Sequence, residues 1–272
     1  MASFSVVSNI ASANAQSNLV GTNMGLNKAL SRLSSGYRIN NSGDDAAGLA
    51  VANTYRNNTA IMNQGIRNAN DGLSKLQIKD SALSNIATIL DRMATLATQA
   101  SAAATTGTGG VDITKLSSEF STLTAEIDRE AAVASISTTA SFSVFVSSET
   151  TVSNGAVSGS IGGVTASLLG VTTTTFTTSA QAQTVLATVQ TAISNLGTVQ
   201  NAVGTLQNRL QFAIGLTSSQ VVNTQAAESR IRDANIAEES ASMTRYNILS
   251  QSGIAALAQA NQTSSSVLAL LR

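Results

Sequence analysis

Apolar residues recur every seven positions along several stretches of the chain, which predicts long helices packed side by side. The clearest pair of rows is formed by Val189, Leu196, Val203 and Leu210 and by Ala192, Val199, Leu206 and Ala213. An earlier row is formed by Met62, Ala69, Leu76, Leu83, Leu90 and Ala97, and a shorter stripe by Leu116, Phe120, Leu123 and Ile127. Heptads of this length are typical of coiled-coil packing between neighbouring helices.

Both ends of the chain keep this spacing but carry almost no charge. The N-terminal row is Leu19, Leu26 and Leu33, and the C-terminal row includes Ile236, Met243, Leu257 and Leu271. No charged residue occurs in residues 1–27 or 246–271. Apolar area left in water costs about 25 cal/mol per Å². The two ends are therefore expected to be covered by each other and by further copies of the chain.

The middle of the sequence has a different pattern. The segment FSVFVSS alternates apolar and polar residues, and Asn154-Gly155 is a turn signal for a β-hairpin. Residues 142–178 are therefore predicted to form a small β excursion. The predicted fold class is mostly α, with long antiparallel, coiled-coil helices from both chain ends packed as a rod and this small β-hairpin in the middle.

Composition argues against an enzyme. The chain contains no His and no Cys, so imidazole bases, thiolate nucleophiles and ordinary zinc sites are excluded. The adjacent carboxylates Asp44-Asp45 and Glu238-Glu239 do not face each other on a helix, and the glycine clusters lack the residues of a phosphate-binding loop. We expect no catalytic, cofactor-binding or metal-binding residue.

The charge balance gives no indication of a nucleic-acid or membrane partner. Fifteen basic and fifteen acidic residues give a formal net charge of zero, which leaves little long-range repulsion between identical copies. The N-terminus lacks the basic residue and apolar run of a secretory signal. If the protein leaves the cell, another route of export is expected.

Several motifs resemble those of bacterial flagellin. They are LSSGYRINNSGDDAAGLAVANTYR (Leu33 to Arg56), RNANDGLSKLQ (Arg67 to Gln77), EIDR (Glu126 to Arg129), LQNRL (Leu206 to Leu210), ESRIRDANIAEESASMTRYNILSQ (Glu228 to Gln251), and LAQANQ followed by VLALLR. They occur in the family's order across residues 1–130 and 180–272, while the middle of the chain carries no such resemblance.

The resemblance implies a division of the chain into shells of a filament. Residues 1–35 and 237–272 would be the inner-tube helices, which stay disordered in a free monomer and order when copies stack. Residues 36–47 and 231–236 would be spoke connectors. Residues 48–141 and 179–230 would form the helical outer-tube domain, with 142–178 in place of larger outer domains.

The same resemblance implies a function and partners. The chain would be a structural subunit that self-assembles into the extracellular flagellar filament used for swimming. Its partners would be further copies of itself, the flagellar secretion apparatus with an export chaperone, and the hook-filament junction and cap proteins. The alternative is a hook-filament junction protein or another secreted assembly protein with helical ends.

Two sets of residues follow from this interpretation. The expected subunit interface consists of Leu19, Leu26, Leu30, Leu33, Ile254, Leu257, Val267, Leu268 and Leu271. The segments LDRMATLATQ and EFSTLTAEIDR place Arg92, Leu96 and Glu119 at the positions through which some family members contact the flagellin-sensing Toll-like receptor. Arg92 could equally be an ordinary solvated residue or a contact between subunits.

Overall fold

The structure, a computed structural model, describes residues 9–103, 112–147, 155–172 and 175–270, with side chains described up to residue 262. In chain order its elements are α1 (Ile10–Ser35), α2 (Ala46–Ala103), α3 (Ile113–Val133), β1 (Ala140–Phe145), β2 (Ala156–Ile161), α4 (Ala166–Leu169), α5 (Ser179–Arg232) and α6 (Ile236–Leu270). The predicted class, mostly helical with one small antiparallel hairpin in the middle, is confirmed.

Side-chain caps fix where the helices begin. At the start of α1, the side chain of Asn9 accepts a hydrogen bond from the backbone N–H of Ser12 at 3.0 Å. The helices α2 to α6 are capped in the same way by Asp45, Asp112, Thr165, Thr178 and Asn235. The chain has no proline, so these caps and loop glycines carry the signals that separate the helices.

The chain divides into two compact units. The first consists of Met1–Asn57 and Asn223–Arg272, and the second of Asn58–Val222. The helices α2 and α5 contribute residues to both.

In the second unit, α2, α3 and α5 share one hydrophobic core. The predicted row of α2 from Met62 to Ala97 is buried at all six positions, and so is the row of α5 from Val189 to Leu210. The hydroxyl of Ser179 donates to the backbone oxygen of Ser101. Because a Cβ on Gly72 would contact Leu210 at 3.5 Å, later positions of α2 meet earlier positions of α5. The two helices are therefore antiparallel.

The hairpin lies on α2 because two glycines leave room for it. A Cβ on Gly72 would be 2.8 Å from a methyl carbon of Val144, and a Cβ on Gly65 would overlap the backbone carbonyl of Val146. The sheet pairs Ala140 with Ile161 through to Phe145 with Ala156. Its inward residues alternate with exposed residues, which are serines except for Phe145 at the end of β1.

The observed β segment differs in detail from the predicted one. β1 begins at Ala140, two residues before position 142, and the part of the segment after β2 contains the short helix α4 instead of more strand. The expected Asn154-Gly155 turn lies partly outside the described residues, because Asn154 is not among them. The backbone oxygen of Gly155 accepts from the N–H of Val146 at 2.8 Å, which closes the described end of the hairpin.

Candidate self-association surface

In the first unit, α1 and α6 pack against each other in opposite directions. The contacts, in order along α1, join Asn9 to Ala260, Leu19 to Gly253, Asn23 to Ser250, Gly25 to Tyr246 and Arg32 to Glu239. As the position on α1 rises, the position on α6 falls, so the pair is antiparallel. The predicted pairing of the two chain ends is confirmed.

We call the line of contact between these helices the terminal seam. On α1 it consists of Ser12, Ala15, Leu19, Thr22, Leu26, Ala29 and Leu33, and on α6 of Glu239, Met243, Tyr246, Ser250, Gly253, Leu257 and Ala260. Each of these residues is buried or half-buried, and the spacing alternates three and four, as in a coiled coil. Most members are small or polar, so the backbones can approach closely while little apolar area is buried.

Gly25, which lies next to the terminal seam on α1, is closely approached by Tyr246 of α6. A Cβ on residue 25 would be 2.6 Å from two ring carbons of Tyr246, which is shorter than any normal contact between carbon atoms. Only glycine therefore allows the tyrosine ring to lie against α1 at this point.

One end of the terminal seam is held by the two connecting segments between helices. The backbone N–H of Ala234 donates to the oxygen of Gly36 at 2.9 Å, and the N–H of Arg38 donates to the oxygen of Arg232 at 2.7 Å. The guanidinium of Arg232 lies 4.2 Å from the centre of the Tyr37 ring, within the range of a cation–π interaction. Gly36 has φ +74°, a conformation that glycine adopts readily at a helix end.

The connector that follows α1 also folds back onto that helix. The ammonium of Lys28 lies 2.7 Å from a carboxylate oxygen of Asp44, and the N–H groups of Asn40 and Asn41 donate to the other oxygen. These interactions, led by the hydrogen bond from Lys28, lower the pKa of Asp44 from 3.8 to about 2. The ionised carboxylate therefore stabilises the folded connector.

The paired helices keep a second set of apolar side chains outside the terminal seam. Among the described residues, those exposed on α1 and α6 are Ile10, Val20, Met24, Leu30, Ile236, Ile248, Leu249 and Ile254. Helical geometry at about 100° per residue places Val20 and Met24 on the side of α1 that faces away from the seam. We call these eight residues the outer apolar set, and they give the pair a surface suited to further helices.

The residues expected at a subunit interface divide between these two groups. Leu19, Leu26, Leu33 and Leu257 line the terminal seam and contact the same chain, whereas Leu30 and Ile254 are exposed. The side chains of Val267 and Leu268, and the whole of Leu271, lie outside the described residues. The heptad spacing identified the seam within one chain, but it did not indicate the exposed Val20, Met24 and Ile248, because they lie off that spacing.

The three residues expected at the receptor surface are not all accessible. The Nε and Nη2 atoms of Arg92 donate to one carboxylate oxygen of Glu119 at 2.9 and 2.6 Å, and both side chains are about half exposed. Leu96, by contrast, has 0% exposure and belongs to the hydrophobic core. Leu96 lies three residues after Met93 and four before Ala100, both of which are buried. This spacing places the three side chains on one face of α2 and predicts that Leu96 is buried.

The described part of the chain contains neither of two other common kinds of site. No cluster of three or more acidic, His or Cys side chains is placed to hold a metal ion in that part. Among the same residues, no helix has an apolar stretch long enough to cross a membrane.

Comparison with known proteins gives matches along most of the chain. Residues 6–145 match the bacterial flagellin N-terminal helical region, and residues 186–271 match the bacterial flagellin C-terminal helical region. A flagellin of Halalkalibacterium halodurans is 35% identical, covering 92% of this chain and 95% of the relative. Flagellin FlaB1 of Treponema pallidum is 33% identical, covering 95% and 96%. The flagellar filament 33 kDa core protein of Treponema phagedenis is 34% identical over the same shares. The extent of these matches, together with the paired terminal helices, shows that this chain belongs to the bacterial flagellin family.

Proposed function

We propose that this chain is a structural subunit that polymerises into an extracellular flagellar filament used for swimming motility. The observation that carries the proposal is the outer apolar set on the α1–α6 pair, with no charge in residues 1–27 or 246–271. A second copy of the same chain is the partner that flagellin-family membership supports. Covering a half-exposed apolar side chain of this size contributes roughly 1 kcal/mol to the free energy of association. The eight side chains of the outer apolar set together therefore favour polymerisation substantially.

The absence of charge in residues 1–27 and 246–271 suits a contact that is repeated in every copy. An ion buried between subunits loses its hydration at a cost of several kcal/mol unless it finds a partner. Serine, asparagine and glutamine can instead exchange hydrogen bonds with identical neighbours. The terminal helices thus combine apolar attraction with polar groups that need no counter-ion.

We further assign the parts of the chain to positions in that filament. Residues 1–35 and 237–272 form the inner tube, 36–47 and 231–236 the connectors, and 48–141 with 179–230 the surrounding helical shell. Residues 142–178 form the outward excursion. The helix α1 ends at Ser35 and α6 starts at Ile236, which supports the assigned boundaries of the inner-tube helices at residues 35 and 237.

Family membership also supports a route and a set of partners for the chain. The chain leaves the cell through the flagellar secretion apparatus with an export chaperone, and meets the junction and cap proteins at the ends of the filament. Recognition by the flagellin-sensing Toll-like receptor would depend on Arg92 and Glu119, since Leu96 is buried. No feature of the described residues favours the alternative role as a junction protein.

The test is seeded polymerisation of the purified full-length chain, followed by electron microscopy and sedimentation. We expect long filaments from the wild type and none from a chain that lacks residues 251–272. Met24→Gln removes apolar character at a position with 68% exposure, so it should fold normally and raise the monomer concentration needed for growth several-fold. Asn27→Gln, an exposed polar position on the same helix, is the matched control. Normal filaments from the truncated chain would refute the proposal.

A further inference from the structure

One phenylalanine of the second unit is left almost entirely uncovered by the fold of that unit. The chain contains six phenylalanines, and two of them, Phe120 and Phe176, pack edge to face in the core with ring centres 5.5 Å apart. Phe212 on α5 is instead 79% exposed, more than any other large apolar side chain in the described residues. An aromatic ring left this open has a large area available for contact.

The surroundings of Phe212 resemble the centre and rim of a protein interface. Leu216, one helical turn further on, is 63% exposed, and residues four apart lie on the same face of a helix. Thr205, Asn208 and Ser219 are exposed, uncharged and on the same side. No charged residue occurs from Leu210 to Ala227. Interfaces between proteins usually have a core that is rich in aromatic residues and poor in charge, surrounded by a polar rim.

The charged residue nearest to Phe212 in the sequence, Arg209, already has a hydrogen-bond partner within the chain. The Nη1 atom of Arg209 donates to the backbone oxygen of Ser158 at 2.8 Å, so its guanidinium is held toward the hairpin. Leu206 and Leu210 are buried on the other side of α5, which fixes the rotation of the helix. Phe212 and Leu216 are therefore presented by a helix whose orientation is set before any partner arrives.

We propose that Phe212 and Leu216 form a docking surface for a second copy of this chain, separate from the contact made by the terminal helices. This inference rests on the proposed function, because a filament subunit is surrounded by copies of itself. In an open helical polymer, contacts join two different surfaces of neighbouring copies. Phe212 of one copy then packs against another part of the next copy, and not against its Phe212.

Substitution of the exposed ring tests the docking surface. Phe212→Ser should leave the thermal unfolding and circular dichroism of the monomer unchanged and raise the critical concentration for seeded polymerisation at least tenfold. Leu216→Gln should act in the same direction. Val133→Ser is the matched control, since Val133 is another open apolar side chain, 70% exposed, on α3 of the same unit. An equal loss with Val133→Ser, or normal growth with Phe212→Ser, would overturn the assignment to α5.

Hydroxyl-radical footprinting of the unaltered protein gives a measurement that is independent of any variant. Labelling of Phe212 should fall at least fivefold between monomer and filament. If filaments form and Phe212 stays fully labelled, the docking surface is wrong while the proposed function stands. If the wild-type chain forms no filaments, the proposed function itself fails.

Discussion

The ring of Tyr246 lies against the α-carbon of Gly25, where a Cβ would approach two ring carbons to 2.6 Å. This contact joins α1 and α6 near the middle of the terminal seam. It connects the two ends of the chain through a residue with no side chain, so its effect can be tested by adding a single methyl group.

Gly25→Ala should weaken the α1–α6 pair even though alanine favours the helix by about 1 kcal/mol. The added methyl must displace the tyrosine ring, and overpacking of this kind costs about 1–3 kcal/mol. We expect a higher critical concentration for polymerisation and filaments that melt at lower temperature. A Cβ at Gly21 on the same helix would meet nothing within 4 Å. Gly21→Ala should therefore change neither the critical concentration nor the melting temperature of the filaments for the worse. Equal behaviour of the two variants would show that the Tyr246 contact is unimportant.

The carboxylate of Asp44 should make stability depend on pH in the acid range. Its folded pKa is lowered from 3.8 to about 2, so its contribution is complete above pH 4 and lost as the pH falls toward 2. Asp44→Asn should reduce stability at pH 7 and flatten this part of the profile of melting temperature against pH. Lys28→Gln removes the partner, and adding it to Asp44→Asn should cause little further loss. A profile unchanged by Asp44→Asn would contradict this account.

Gly65→Ala should destabilise the second unit. The new methyl would overlap the backbone carbonyl of Val146, and a backbone atom in a hairpin cannot move aside as a flexible side chain can. We expect a net loss of about 1–2 kcal/mol after the gain in helix propensity. Gly197→Ala on α5, where a Cβ meets nothing within 4 Å, should be neutral or stabilising. Thermal unfolding of the monomers compares the two directly.

The Arg92–Glu119 pair should contribute little to stability, because both side chains are about half exposed to solvent and ion pairs at the surface are worth about 0–1 kcal/mol. Arg92→Ala should therefore leave the melting temperature nearly unchanged. In a reporter assay for the flagellin-sensing Toll-like receptor, the same variant should give a weaker response than the wild type. An identical response would remove Arg92 from the receptor surface.

The terminal helices should exchange amide hydrogens faster in the dilute monomer than the second unit does. Half of the residues in the terminal seam are Ser, Ala, Thr or Gly, so pairing alone buries less apolar area than a seam of large apolar side chains would. We expect residues 10–35 and 236–262 to become protected on polymerisation. Strong protection of both segments before polymerisation would contradict the coupling of order to assembly.

Periodicity predicted the buried rows of α2 and α5 well, because burial along a helix follows directly from spacing. Asp80, which falls seven residues after Leu73 and seven before Ala87 on α2, is exposed, so that part of the spacing does not mark the core. The Gly25–Tyr246 and Gly65–Val146 contacts could not be predicted in this way. They depend on how closely two backbones approach, and no apolar pattern records that distance. Leu96 was assigned by resemblance to the surface, although its helical spacing from Met93 and Ala100 already indicated the core.

The pairing of Asn9 with Ala260 joins positions 251 residues apart. All the other helices lie between α1 and α6 in chain order, so during synthesis α1 is made well before its partner. A chain interrupted before α6 cannot offer α1 the surface against which it packs. Pairing of the terminal helices is therefore a late step that must wait for α6 to be translated.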